Sequence, residues 1–222
     1  MAINIRACVA EFIGTYALVF FGSLAIAHAA SLLQVAFAHG LIIAVMVYSF
    51  GHVSGAHLNP AVTIPMIYRK QIDTQNGIAY IVSQLAAGVV AAIAHALILP
   101  SSITANNLGS NLPGAGISDS TVFIVEIILT FFLVLVIFNT AVNNKATLGW
   151  HGLAIGMIIV IDILAGGPKT GASMNPARSF GPAIISYLYG VEGALQSHHI
   201  YWIAPILGGL IAAATAKIIN ED

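Results

Sequence analysis

Six long apolar stretches that carry almost no charge restrict this sequence to one kind of fold. Of its 222 residues, 59% are hydrophobic and 7% are charged, and the mean hydropathy is +0.94. Soluble domains contain about 25% charged residues, so this composition cannot cover a water-exposed surface. About 20 apolar residues form a helix that crosses the ~30 Å hydrocarbon core of a bilayer. The sequence therefore predicts an all-α protein that lies in the lipid bilayer.

The lengths of the apolar stretches predict six transmembrane helices. Their predicted bounds are residues 7–29, 35–52, 77–99, 120–142, 150–167 and 199–219. Two further apolar segments, which begin at Asn59 and Asn175, have about ten residues each and are too short to cross a bilayer. Residues 100–117, rich in Gly, Ser, Asn and Pro, are predicted to connect two halves, about 1–99 and 118–222, of a single transmembrane domain, 1–222.

The two halves share landmarks at a nearly constant spacing. The landmark pairs are Glu11 with Glu126, 115 residues apart, and Gly55 with Gly171 and Asn59 with Asn175, each 116 residues apart. Each half has three predicted spans, an odd number, so the second half enters the membrane from the opposite side. The sequence therefore predicts two inverted repeats.

The basic residues predict the orientation of the chain. Five of the seven lie on one predicted side of the membrane: Arg6, Arg69, Lys70, Lys145 and Lys217. The positive-inside rule makes this the cytoplasmic side and places both termini there. We expect an integral, multi-pass protein of the plasma membrane. Lys169 is interpreted as an exposed loop residue, whereas Arg178 lies too close to Asn175 to be incidental.

An Asn-Pro dipeptide begins each short segment, in "AHLNPAVT" and in "SMNPARSF". Proline at the first helical position starts a helix, since its missing N–H is not needed there. The preceding stretches "GHVSGAH" and "GGPKTGASM" are predicted to be extended, which a membrane tolerates only where protein or a water-filled cavity supplies hydrogen bonds. Two helices of about ten residues, each ~15 Å long, would then meet at the bilayer midplane.

Two facing helix N-termini predict a particular chemistry at the midplane. Their partial positive charges form a barrier to cations. The side-chain amides of Asn59 and Asn175 add N–H donors. Carbonyl acceptors are predicted at Gly55, Ala56, His57, Gly171, Ala172 and Ser173. A single file of water can exchange hydrogen bonds with these groups, so the sequence predicts a passive channel that conducts water and excludes protons and ions.

The paired boxes "SGAHLNPAVT" and "TGASMNPARSFGP", with the opening "AEFIGT", resemble the aquaporin or major intrinsic protein family over the whole chain. The resemblance implies six tilted helices and two re-entrant half-helices, one pore per subunit, and a homotetramer. It places the boxes at Asn59, Pro60, Ala61, Asn175, Pro176 and Ala177. It also implies that Glu11 and Glu126 hold the interrupted loops by accepting backbone hydrogen bonds.

The same resemblance locates the narrowest part of the pore near the outer face. Its four side chains, here called the selectivity filter, are His39, Ile163, Ala172 and Arg178. Strict water channels of the family have Phe and His at the first two positions, where this chain has His and Ile. The set is similar to that of the plant tonoplast-type branch, whose members pass water and in some cases ammonia, urea, glycerol or hydrogen peroxide. We expect water first, with ammonia foremost among other small neutral solutes.

Other functions have less support from the residues. A broader glycerol or urea facilitator is the first alternative, although Ser179 follows Arg178 where glycerol facilitators resemble one another in having Asp. A secondary transporter also uses inverted repeats and broken helices, but it normally needs more spans and an ion-coupling carboxylate. No motif predicts an enzyme, a cofactor or a metal site, and the net charge of −1 gives no indication of a nucleic-acid partner.

Four titratable positions have less defined predictions. Asp162, beside Ile163, is an acid inside a span, and it either has a structural role or tunes the filter. His57 is predicted to pack and hydrogen-bond within the first approach, with a gating role as the alternative. His198 and His199 begin the last span and are predicted to be solvated.

Overall fold

The computed structural model describes residues 2–28 and 31–220, and every regular element in these residues is helical. The long helices are α1 (Ile5–His28), α2 (Leu32–Ser54), α4 (Thr74–Ile98), α6 (Asp119–Ile137), α7 (His151–Thr170) and α9 (Ile200–Ile219). The shorter helices are α3 (Pro60–Tyr68), α5 (Ser102–Asn106) and α8 (Pro176–Leu188). By length and composition, six helices in the described residues qualify to cross a membrane, the fourth being α6 with the π-helical turn Phe138–Val142. The predicted all-α fold with six spans is confirmed.

The observed helices are longer than predicted at several ends. The first helix begins at Ile5, whereas its predicted start is residue 7. The predicted bounds at residues 1, 29 and 222 lie outside the described residues. The second begins at Leu32 because Ser31 and Gln34 form a capping box, with the Gln34 N–H donating to Ser31 Oγ at 3.4 Å and the Ser31 N–H to Gln34 Oε1 at 3.1 Å. This box satisfies N–H groups that the first turn leaves without helical partners.

The prediction that "GHVSGAH" and "GGPKTGASM" are extended throughout is wrong for their first halves. Helix α2 continues to Ser54 and α7 to Thr170, so only residues 55–59 and 171–175 lie between helices. Each long helix ends at a glycine in the left-handed region, Gly55 with φ 85° and Gly171 with φ 75°. Continuing the helix satisfies the backbone internally for as long as possible, which hydrocarbon requires. Lys169 is exposed, but in the last turn of α7 rather than in a loop.

The helices approach most closely where glycines face each other. Gly40 of α2 meets Gly156 of α7, and a Cβ on either residue would collide with the carbonyl oxygen of the other. Gly88 of α4 has the same relationship with the backbone of α8. Through such contacts α8 packs against α4, and α3 packs against α4 and α9. Helices α3 and α8 therefore lie inside the bundle, and this packing positions their amino ends.

Candidate functional site

The amino ends of α3 and α8 meet inside the bundle, and each is tied to the loop that precedes the other. Asn59 Nδ2 donates to the carbonyl oxygen of Met174 at 2.7 Å. Asn175 Nδ2 donates to the carbonyl oxygen of Leu58 at 2.9 Å. Both asparagines are buried, with 4% and 5% of their surface exposed. The structure therefore brings together two residues that are 116 positions apart in the sequence.

The same asparagines cap the helices that follow them. Asn59 Oδ1 accepts a hydrogen bond from the Ala61 N–H at 2.7 Å, and Asn175 Oδ1 accepts from the Ala177 N–H at 3.0 Å. Pro60 and Pro176 occupy the first helical position in each case. A side-chain oxygen at the N-cap and a proline directly after it are the usual way to begin a helix. Each amide is thus held at both ends, by its own helix and by the opposite loop.

The alanines of the two boxes lie where the short helices contact α9 and α4. Ala61 and Ala177 are fully buried, and their carbonyl oxygens lie where a Cβ on Gly209 or on Gly88 would have to stand. A side chain at Gly209 or Gly88 would therefore separate the short helices from α9 and α4. At these alanines α3 therefore packs closely against α9, and α8 packs closely against α4.

Glu11, fully buried on α1, holds the first interrupted loop. Its Oε1 accepts from Ser54 Oγ at 2.7 Å and from the His57 N–H at 2.9 Å. Its Oε2 accepts from the Leu58 N–H at 2.6 Å and from Gln84 Nε2 at 2.7 Å. One carboxylate thus binds four donors, which is how a buried carboxylate is stabilised.

Glu126, fully buried on α6, holds the second loop in the same way. Its Oε1 accepts from Thr170 Oγ1 at 2.6 Å and from the Ser173 N–H at 2.8 Å. Its Oε2 accepts from the Met174 N–H at 2.8 Å. Thr170, Ser173 and Met174 lie 116 residues after the three loop partners of Glu11. The two halves therefore use matched donors at matched positions.

Backbone strain explains why the loops need such support. Ala56 and Leu58 have φ of 48° and 52°, and Ala172 and Met174 have φ of 47° and 51°. Residues with a Cβ pay roughly 1–2 kcal/mol for the left-handed region. Hydrogen bonds to a charged acceptor contribute about 1.5–3 kcal/mol each, so the glutamates are sufficient to offset this strain.

A cavity of about 530 Å³ passes the asparagine pair and extends along α7 from Ile163 to His151. Ten residues singled out in the sequence line it: His39, Gly55, Ala56, His57, Asn59, Ile163, Ala172, Ser173, Asn175 and Arg178. Gly171 departs from the prediction. Its carbonyl oxygen accepts a hydrogen bond from Asn111 Nδ2 at 2.8 Å, and it does not belong to the residues that line the cavity. The cavity lining therefore does not support the predicted role of Gly171 as a carbonyl acceptor for solutes.

The polar members of the selectivity filter lie at one end of this cavity and contact each other. Arg178 Nη2 lies 3.4 Å from His39 Nε2, and Arg178 Nη1 donates to the carbonyl oxygen of Gly109 at 2.7 Å. The His39 Nδ1 lies 2.8 Å from the carbonyl oxygen of Val35. A carbonyl only accepts, so Nδ1 carries the proton and Nε2 of the neutral ring accepts from the guanidinium. Ile163 and Ala172 are equally buried beside them.

The comparison with known proteins decides the family. The family model described as Major intrinsic protein matches residues 1–215. The chain belongs to the major intrinsic protein family. Members of this family are channels and not enzymes, which confirms that the chain is a membrane channel protein rather than a catalyst.

Individual relatives of this major intrinsic protein differ in the solutes that their names mention. Glycerol uptake facilitator protein-like 6 of Lactiplantibacillus plantarum is 36% identical over 223 residues, which cover 98% of this chain and 99% of that protein. Aquaporin TIP4-4 of Zea mays is 35% identical over 220 residues, which cover 94% and 84%. The aquaglyceroporin structure from Plasmodium falciparum has a TM-score of 0.86 at 24% identity and covers 97% of both chains, which confirms the fold.

The connector of this major intrinsic protein, residues 100–117, contains site residues that the sequence did not predict. Besides Gly109, which binds Arg178, the connector supplies Asn111, whose Oδ1 accepts from Ser179 Oγ at 2.9 Å. Leu108, fully buried with φ of 53°, fixes the turn that precedes them. A run such as "NNLGSN" indicates a turn, but nothing in the pattern shows which distant groups it contacts.

The remaining predicted positions have specific surroundings in this channel. His57 Nδ1 lies 3.2 Å from Thr63 Oγ1, and its ring meets that of Tyr80 edge to face, so it packs and hydrogen-bonds as predicted. Asp162 is buried, it does not belong to the residues that line the cavity, and its Oδ2 has no hydrogen-bond partner among the described residues.

His198 is only partly exposed rather than solvated as predicted, while His199 is exposed as predicted. The His198 ring packs between those of Phe180 and Tyr201 and lies 3.2 Å from Trp202 Nε1, which donates to His198 Nε2. Burial lowers the pKa of His198, and the neighbouring His199 lowers it further. This cluster attaches the last loop to α8 and α9.

Proposed function

We propose that this protein is a passive channel that conducts water in single file and excludes protons and ions. The observation that carries the proposal is the pairing of Asn59 and Asn175 beside the cavity, each amide fixed by the loop opposite. An amide nitrogen has two N–H groups, and one of each pair is left for a passing solute. The N-termini of α3 and α8 point to the same place, and their dipoles repel cations there.

Water is the main solute in this proposal, with ammonia first among other small neutral solutes. His39 and Arg178 supply polar groups at the selectivity filter, while Ile163 and Ala172 supply apolar ones. The hydrogen bonds of the Arg178 guanidinium go to a carbonyl and an imidazole, both neutral, so its charge opposes cations that enter the cavity. Small neutral molecules that donate and accept hydrogen bonds meet no such barrier.

A glycerol or urea facilitator is the second candidate. It is favoured by the 36% identity with a protein named as a glycerol uptake facilitator. Against it, Ser179 is engaged with Asn111 and with Ser173 Oγ behind the filter, and the side chain after Arg178 is thus not free to bind a polyol.

We also propose the arrangement of the chain in its membrane. The matched loop partners of Glu11 and Glu126 support a single domain of two inverted repeats, about 1–99 and 118–222. The positions of the basic residues Arg6, Arg69 and Lys217 support placing both termini on the cytoplasmic side of the plasma membrane. Family likeness supports a homotetramer with one pore in each subunit.

Stopped-flow light scattering on proteoliposomes tests the function. Water, ammonia, urea and glycerol are measured in parallel at several protein densities, with protein-free liposomes as the control. A channel gives water permeability in proportion to protein and independent of any ion gradient. Uptake that saturates at low solute concentration, or that stops when an ion gradient is removed, would instead identify a secondary transporter. Glycerol flux without faster water flux would identify the facilitator.

A further inference from the structure

Gly22 on α1 lies directly against the imidazole of His39. A Cβ on Gly22 would stand 2.5 Å from His39 Nε2, 2.8 Å from Cδ2 and 3.0 Å from Cε1. Close-packed interiors do not accommodate such short contacts, so any side chain at position 22 requires the ring to move. The absence of a side chain at this buried position therefore sets where the ring can stand.

The ring is not free to move without loss. Its Nδ1 is held by the carbonyl oxygen of Val35 at 2.8 Å, and its Nε2 faces Arg178 Nη2 at 3.4 Å. Rotation away from Gly22 breaks one or both contacts. Because His39 and Arg178 both line the cavity, a displaced ring extends into the solute path.

The residue after Gly22 contacts the other support of the arginine. A Cβ on Gly109 would lie 3.0 Å from both Cα and Cβ of Ser23, so the two backbones nearly touch. Gly109 supplies the carbonyl that holds Arg178, and Ser23 Oγ is in turn fixed by His95 Nδ1 at 2.9 Å. Two consecutive residues of α1 thus stand behind both polar members of the selectivity filter.

We propose that Gly22 is a positioning residue that determines which solutes pass, by leaving room for the His39 ring beside Arg178. The inference rests on the proposed function, since it takes His39 and Arg178 as the filter. A hydrogen at position 22 keeps the imidazole against α1 and the filter open. A methyl group there moves the ring toward the lumen, which obstructs the larger neutral solutes more than it obstructs water.

The first experiment compares Gly22→Ala with wild type and with Gly77→Ala in proteoliposomes. Gly77 is a matched control, because a Cβ there would collide with the Ile67 side chain, a flexible neighbour outside the filter. The readout is the permeability of the largest solute that the wild type conducts, among ammonia, urea and glycerol, divided by its water permeability. We expect this ratio to fall several-fold in Gly22→Ala, because the displaced ring narrows the solute path, and to be unchanged in Gly77→Ala.

The second experiment repeats Gly22→Ala in a His39→Ala background. With the ring absent, the methyl group has nothing to displace, so the ratio should be the same with Gly or Ala at position 22. A ratio that falls equally in both backgrounds, or that does not fall in Gly22→Ala alone, overturns the inference. If Gly22→Ala does not fold, recovery of folded protein in the double variant supports the same contact, and failure of both variants overturns it.

The wild-type measurement separates this inference from the proposed function. Wild-type protein that does not raise water permeability above that of protein-free liposomes contradicts the proposed function itself. Wild-type protein that conducts water, with Gly22→Ala unchanged in its solute ratio, contradicts only the role of Gly22.

Discussion

His39 and Arg178 face each other at 3.4 Å, the neutral imidazole nitrogen accepting from the guanidinium. The two residues come from α2 and α8, and each is held from behind by a backbone carbonyl, that of Val35 or that of Gly109. Both side chains are therefore fixed before any solute arrives. A filter organised in this way selects by shape and hydrogen bonding, since it does not have to rearrange for each solute.

Replacing His39 with Phe should change selectivity more than water flow. The phenyl ring is larger than imidazole and accepts no hydrogen bond, so Arg178 loses a partner and the opening narrows. We expect ammonia and urea permeabilities to fall by a larger factor than water permeability in stopped-flow measurements. Equal losses for every solute would show that His39 does not select.

Replacing Glu126 with Gln should destabilise the second loop. The carboxylate accepts three hydrogen bonds, whereas one end of the Gln side chain is a donor and leaves a buried N–H without a partner. Such a group costs about 1–3 kcal/mol. We expect earlier thermal unfolding in detergent and reduced water permeability. Glu192→Gln, at an exposed loop position, is the control and should match wild type in both measurements.

Adding a methyl group at Gly88 should separate α4 from α8. A Cβ there would collide with the backbone carbonyl of Ala177, which cannot move aside as a side chain can. Overpacking of this kind costs about 1–3 kcal/mol. Gly51→Ala is the matched control, because a Cβ at Gly51 meets nothing within 4 Å. Equal thermal unfolding temperatures for the two variants would contradict the close contact.

His198 should contribute a pH dependence to stability. Its pKa in the folded protein lies below the ordinary 6.5, because the ring is partly buried and the neighbouring His199 disfavours the protonated form. The unfolded chain therefore binds a proton first, and stability falls as the pH drops from 6.5 toward the lowered pKa. His198→Gln should lose less thermal stability than wild type between about pH 7.5 and pH 5.

Exposed His199 provides the control for that measurement. His199→Gln should retain most of the wild-type difference in unfolding temperature between the two pH values, because the burial of His198 is the larger cause of its lowered pKa and is unchanged. If both variants behave alike, the burial of His198 is not the cause of the pH dependence.

The parts of the site that the sequence predicted depend on local rules. Asn59 and Asn175 each precede a proline, and a cap followed by proline starts a helix wherever it occurs. Segment length then restricts each short helix to half a membrane. These two facts are enough to bring the asparagines together. The helices α2 and α7, however, continue further before each loop than predicted.

The parts that the sequence did not predict depend on contacts between distant residues. The Gly109 carbonyl reaches Arg178 because Leu108 is buried against Ala92 and Ile185, which belong to two other helices. Likewise, Asn111 of the connector donates to the Gly171 carbonyl, a contact that no local pattern indicates. Composition marks residues 100–117 as a linker, but only the packed structure shows that they complete the filter.

Each half of the chain supplies the hydrogen-bond acceptor for the asparagine of the other half. Asn59 finds its acceptor at Met174, and Asn175 finds its acceptor at Leu58. During synthesis the Asn59 amide therefore lacks this acceptor until the second half has entered the membrane. A single half, as a gene coding for one repeat would make it, can complete this site only by pairing with an upside-down copy of itself.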